Sequence, residues 1–276
     1  MGRALKRHVQ GELFPKHGGK RKGAGRPPKN KLRPSQPHKK RPAVKQSVPL
    51  HVTARVVDEL AELRQRDAYK AIRRAMTHVY ARDEFHIVHV SIERSHIHFI
   101  IEASDRMALA RGMKALEISA ARHINRAFSK HRSQRRRGQV FCDRYDSEPI
   151  TNRRQARNTL AYVLNNWRKH GEHRVPELRG FQIDPFSSAL GFDGWREPID
   201  ARWPPTYEPL PVWKPRSWLL TTGWRMYGLI GTHEVPGPRS KRARRTTAMR
   251  APRSSVNTAR RTRLPRHTFA GTGSRR

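Results

Sequence analysis

The sequence has a single cysteine, Cys142, among 276 residues. That excludes an internal disulfide and any zinc ribbon built from cysteine ligands. Acids are also scarce, with 22 Asp and Glu against 59 Lys and Arg, a formal charge of +37. A chain so basic repels itself and belongs beside a polyanion, nucleic acid before any other. No window approaches the roughly 18 consecutive apolar residues of a membrane span, so no membrane partner is expected. Met1–His17 is basic but lacks an apolar run, so it does not read as a signal peptide. The expectation is a cytoplasmic protein. Apolar residues are 35% of the chain, low for one that folds along its whole length.

The charge is unevenly placed. Residues 1–47 hold 15 Lys and Arg and one acid, and residues 236–276 hold 13 and none. Residues 48–235 hold 31 against 21, so 27 of the 37 excess charges fall in two tails with too little apolar content to fold. The sequence therefore divides into a disordered basic tail (1–47), a folded body (48–180), a Trp- and Pro-rich extension (181–235) and a second disordered basic tail (236–276). In the first tail, Lys20-Arg21-Lys22-Gly23-Ala24-Gly25-Arg26-Pro27-Pro28 resembles an AT-hook, an extended arginine strip suited to a narrow minor groove. An unspecific basic linker touching phosphates is the plainer reading. The second tail carries no motif and reads as a phosphate-binding arm whose contribution falls with salt.

The body alternates in period. Leu50 to Val56 reads as a first strand, and Asp58 is expected to cap a helix through about Tyr80 with Leu60, Leu63, Ala71, Ile72, Met76 and Val79 on its apolar stripe. Glu84–Ile92 and His96–Ala103 read as a hairpin turning at Glu93-Arg94-Ser95. Asp105 caps a long helix through about Phe128, Gly138–Tyr145 reads as a short strand or extended segment, and Thr151 or Asn152 caps a last helix through about Lys169, closed by Gly171. The order β-α-β-β-α-β-α is that of an α+β ferredoxin-like layer with one added helix. In the extension, Trp195, Trp203, Trp213, Trp218 and Trp224 either stack single-stranded bases or, more simply, pack the appendage onto the body.

Two features could carry chemistry. His96 and His98 share one face of a strand, so two imidazoles can grip one divalent cation; equally, they could be two histidines on a solvated sheet face. On the last helix, at about 100° per residue, Leu160, Val163, Leu164 and Trp167 form an apolar stripe. Tyr162 lies on the opposite, polar face with Asn158 and Asn166. Its phenol is suited to act as a nucleophile with Asn166 one turn away, or it is an ordinary surface tyrosine.

Taken together, His96-Ile97-His98-Phe99-Ile100-Ile101 on a strand and Leu160-Ala161-Tyr162-Val163-Leu164-Asn165-Asn166 on a later helix resemble the single-tyrosine HUH transposases of the IS200-like type, and among these the REP-associated bacterial members. The resemblance covers about 48–192 and includes Asp184–Ala189, which is similar to the serine-pair segment of those relatives. It implies an HUH domain that cleaves and rejoins single-stranded, hairpin-bearing DNA. Tyr162 would attack to give a 5′-phosphotyrosine, and His96, His98 and Asn166 would hold Mg²⁺ or Mn²⁺. Free tyrosine ionises near pH 10, so a neighbouring cation such as Arg157, Arg168 or Lys169 would assist, and the same residues would meet DNA. Nucleoid association and a homodimer, with Tyr162 serving either its own or a neighbour's site, stay open. The REP-associated pattern continues Asn-Pro; here Asn166 is followed by Trp167-Arg168-Lys169-His170, which lets the helix run on. A replication-initiator nickase and a non-catalytic DNA- or RNA-binding protein on the same fold are the alternatives.

Overall fold

The structure, a computed structural model, describes Val44 and residues 48–130, 134–200 and 203–235. These lie in one compact unit, Met1–Pro236; a second, Gly237–Arg276, lies outside the described residues, as do Lys20, Arg21, Lys22 and Arg26 of the AT-hook-like strip.

In chain order the elements are β1 (Leu50–Arg55), α1 (Arg66–Tyr80), β2 (Phe85–Ile92), β3 (His96–Ala103), α2 (Arg106–Ser129), β4 (Asp146–Pro149), α3 (Arg153–Lys169) and the single-turn α4 (Trp218–Thr221). The sheet order is β2-β3-β1-β4 and every neighbouring pair is antiparallel. This is the expected ferredoxin-like layer with one helix added. Two expected caps form. Asp105 accepts from the Met107 and Ala108 amides, and Asn152 accepts from the Gln155 amide at 2.9 Å, so each satisfies donors the first helical turn leaves open.

Alternation along β3 divides the molecule. Ile97, Phe99 and Ile101 join Val52, Ala54, Ile72, Met76, Met113 and Leu116 in the larger core, under α1 and α2. Ile100 instead joins Leu160, Ala161, Val163 and Leu164 of α3 in a second core on the opposite face, where His96 and His98 also project. A bulge in β2 between Ile87 and His89 shifts the alternation, so Ile87 and Val90, three residues apart, both face the first core, while Val88 enters the second. Gly112 lets α2 approach the sheet: a Cβ there would meet the Phe85 ring at 2.2 Å.

Three expectations need correction. Asp58 opens only a 3-10 turn (Asp58–Leu60), and α1 begins at Arg66 behind Gln65. Leu60 and Leu63 are buried as expected but lie outside the helix. The Leu63 amide bonds to the Arg94 carbonyl, and Arg64 turns inward, so tertiary bonds take up the backbone a helix would have used. The last strand is Asp146–Pro149 rather than Gly138–Tyr145, although its composition is poor for a strand. It pairs with the free edge of β1, while Val140 and Tyr145 are drawn into the core and only Phe141 keeps a bridge, to Val56.

The segment after α3 wraps back over the body. It covers the outer edge of β2 with backbone bonds from Ile92 to Phe186, Ser188 to Val90 and Trp213 to Ile87, at 2.8–2.9 Å. Trp195, Leu220, Trp224 and Ile230 then bury against the outer side of α3. Of the two roles considered for the tryptophans, packing holds for Trp195 and Trp224, but not for Trp218, which stays exposed.

Candidate active site

Antiparallel pairing of β1 with β3 sets Thr53 opposite His98 and Arg55 opposite His96, all on the α3 face, with His51 one pair further on. His96 Nε2 and His98 Nε2 lie 3.0 Å apart. His98 Nδ1 is 3.1 Å from both Thr53 Oγ1 and His51 Nε2. If Nδ1 carries the proton and donates it to one of these, Nε2 is left as a lone pair aimed at its partner. Burial pushes His96 down to about pKa 4, with the Arg55 charge adding to the effect. Burial likewise holds His98 well below the usual value, helped by His51 and His96. Both imidazoles are therefore neutral at pH 7, the state in which they can be metal ligands.

α3 supplies the other side. The Tyr162 ring stands edge-on to His98 with centroids 5.2 Å apart, and to His51 at 5.9 Å. Lys169 Nζ sits 4.8 Å from the centre of the Tyr162 ring, and His170 lies 6.0 Å from His96. Because Trp167 follows Asn166 where proline would end the helix, α3 continues far enough to place Lys169 there. The expected outward-facing polar stripe is corrected here. Asn158 is exposed, but Tyr162 is half-buried facing the histidines, and Asn166 is 1% exposed. Sheet on one side and the wrapped extension on the other leave α3 little solvent face.

Neither amide atom of Asn166 reaches a hydrogen-bond partner within the protein. It lies beside Glu93, close enough to favour that carboxylate, which also accepts from Ser91 Oγ at 2.8 Å. Burial raises Glu93 to about pKa 7, and Asp184 adds to this while Arg64 opposes it. Arg64, itself buried, bonds both oxygens of Asp184 at 2.7 and 3.1 Å and the Ile92 carbonyl at 2.8 Å. It thus ties the end of β2 to the loop that follows α3. Sequence reasoning did not find His51, Thr53, Glu93 or Arg64. The period-2 register of β1 against the His-x-His strand was the available signal for the first two.

The donor set fits a divalent cation in part from side chains alone. Among the described residues no three His, Cys, Asp or Glu side chains are arranged to hold a metal. Two neutral imidazoles converging through Nε2, with the buried Asn166 amide on the facing helix, would leave the rest of a coordination shell to oxygens from elsewhere. Of the three basic residues expected near the tyrosine, only Lys169 is brought to it. Arg157 is spent on the Glu234 carboxylate and the Gly228 and Leu229 carbonyls, and Arg168 on the Thr232 and Gln182 carbonyls. These guanidiniums staple the extension to α3.

No curated protein matches the chain. Among solved structures, one described as the REP-associated tyrosine transposase bound to a REP hairpin aligns at TM-score 0.43 and 18% identity, over 66% of this chain and 100% of that one. A putative transposase from Deinococcus radiodurans R1 aligns at TM-score 0.32 and 10% identity, over 52% and 97% of the two chains. A bacterial tRNA(His) guanylyltransferase-like protein in complex with GTP aligns at 0.35 and 10%, over 50% and 71%. The family model described as "Transposase IS200 like" matches residues 46–166, the stretch that holds His51, Thr53, His96, His98, Tyr162 and Asn166, and over that stretch the chain is similar to that family.

Proposed function

We propose that the chain is a transposase that nicks and rejoins single-stranded, hairpin-bearing DNA through a covalent bond to Tyr162. The observation that carries this reading is the Tyr162 ring standing over the paired, neutral histidines of its own chain, with centroids 5.2 Å apart from His98. In the cleavage step the phenol oxygen forms a bond to phosphorus. The bond to the 3′ oxygen breaks, and the departing electron pair takes up a proton to leave a 3′-OH. The phosphodiester energy is conserved in the tyrosyl ester, so a second 3′-OH can reverse the step on another end without a nucleotide cofactor.

The Lys169 ammonium stabilises negative charge as it develops on the phenol. Thr53 or His51 fixes the His98 ring by accepting from Nδ1, and burial keeps His96 and His98 unprotonated. A bound Mg²⁺ or Mn²⁺ on His96, His98 and Asn166 would withdraw charge from the phosphoryl oxygens and stabilise the leaving oxygen. In this reading Tyr162 acts with the histidines of its own chain. The test is incubation with single-stranded oligonucleotides from the hairpins flanking the gene, in Mn²⁺. Wild type should form an adduct that survives SDS, and Tyr162→Phe should form none; an equal adduct from the variant would overturn the reading.

A further inference from the structure

The extension that clamps α3 also leaves apolar side chains in water that the clamp does not need. Leu220, Trp224 and Ile230 do the burying, yet Trp218 is 55% exposed, Met226 62%, and Tyr227 and Leu229 are exposed as well. Trp218, Met226 and Tyr227 lie on the short run formed by α4 and the 3-10 turn Gly223–Tyr227 that follows it, and Leu229 comes two residues later. The six-membered ring of Trp218 lies against Gly223, where a Cβ would meet it at 2.7 Å. The other end of the run lies on the first turn of α3. Arg153 Nη1 contacts Met226 Sδ at 2.9 Å, and the Arg154 guanidinium lies over the Tyr227 ring at 5.3 Å. Arg153 and Arg154 are both exposed, and neither is among the ion pairs that hold Arg157, Arg196 and Arg225.

We propose that this surface is a binding platform for single-stranded DNA, with bases stacking on Trp218 and Tyr227 and phosphates meeting Arg153 and Arg154. Charge complementarity decides the occupant. The exposed rings are bordered by cations, and aromatic faces interleaved with arginine suit a polyanion with unpaired bases, whereas a second copy of so basic a chain would be repelled. A duplex would offer the arginines its phosphates but no base faces. The platform is separate from the Tyr162 cleft and would hold strand flanking the cleaved bond. It rests on the proposed DNA substrate but not on the cleavage chemistry.

The test uses the full chain carrying Tyr162→Phe, so that no strand is cut, and a labelled thymidine homopolymer of about 20 nucleotides, longer than a typical aromatic-lined site. Trp218→Ala with Tyr227→Ala should weaken binding by about tenfold or more, roughly what is lost with one or two stacked bases. That loss should be similar at low and high salt, because it is not a counterion effect, while duplex binding stays within about twofold. Arg153→Ala with Arg154→Ala should weaken both ligands and flatten the salt dependence. Melting temperatures should fall by no more than a few degrees, since all four side chains keep a large share of their surface in water. Wild-type affinity in the Trp218/Tyr227 variant, or an equal loss on duplex, overturns the proposal. So does a dimer that sediments in the wild type and is lost in that variant. Failure of the adduct assay with normal homopolymer behaviour would count against the cleavage mechanism and leave the platform standing.

Discussion

β3 builds two unlike surfaces from eight consecutive residues. On one face Ile97, Phe99 and Ile101 are sealed beneath α1 and α2 in a wholly apolar core. On the other, His96 and His98 precede Ile100 toward α3, and polar groups accumulate around them: Thr53, His51, Tyr162 and, further on, Glu93 and Asn166. The apolar face makes the strand rigid, and the alternation of the pleat turns that rigidity into fixed imidazole positions on the reverse side. Stability and chemistry are therefore separable by face, though not by element.

The largest expected effect breaks the polar face alone. His96→Ala, at a half-buried position, should reduce adduct formation at least about 100-fold while changing stability by about 1 kcal/mol or less, as read from single-turnover cleavage and urea melts. Phe99→Ala, one register away from His98 on the other face, should do the reverse. It should lose about 3–5 kcal/mol in urea melts, yet folded protein at low temperature should still form the adduct. Equal loss of stability in both variants would dissolve the distinction between the faces.

Next in size is Thr53→Val, which keeps the shape but removes an oxygen from His98 Nδ1. A drop of about 10–100-fold in the Mn²⁺ dependence of cleavage is expected, since such outer contacts orient metal-binding imidazoles. Lys169→Ala should slow adduct formation by about tenfold with DNA affinity little changed, and Lys169→Arg should recover most of it. An equal fall in affinity would make Lys169 a general phosphate contact.

The polar face also makes the fold sensitive to acid. His89, buried on that side within 3.2 Å of Ser188 Oγ, is lowered by burial to about pKa 4 from an ordinary value near 6.5. The unfolded chain thus takes up a proton that the folded chain refuses. The contribution of His89 to stability is intact above about pH 6.5 and is lost as pH falls toward 4. Melting temperatures measured across that interval should decline steadily; a flat profile would mean that His89 is relieved by local opening.

Much of this was legible in the sequence because it depends on local periodicity. β3 begins and ends where alternation places it, Asp105 and Asn152 cap as their side chains predict, and the strand order follows from the element order. What was not legible depends on distant partners. Arg157 and Arg168 resemble any basic residue on a DNA-facing helix until the extension returns to occupy them with Glu234 and four backbone carbonyls. Helical phase alone puts Tyr162 and Asn166 on a polar, outward face. That face is turned toward the sheet, and its polar partners come from β1 and β3. Asp146–Pro149 forms a strand because β1 has an edge to offer, which nothing in those four residues signals.

The central claim is that Tyr162, held over His98, is the atom donor that takes the DNA strand. Its most direct test is digestion of the SDS-stable adduct and mass spectrometry of the DNA-linked peptide. Expected is a nucleotide phosphate on the peptide containing Tyr162, joined to the strand lying 3′ of the cut. A phosphate on any other residue, or cleavage products with no linked peptide at all, would contradict it.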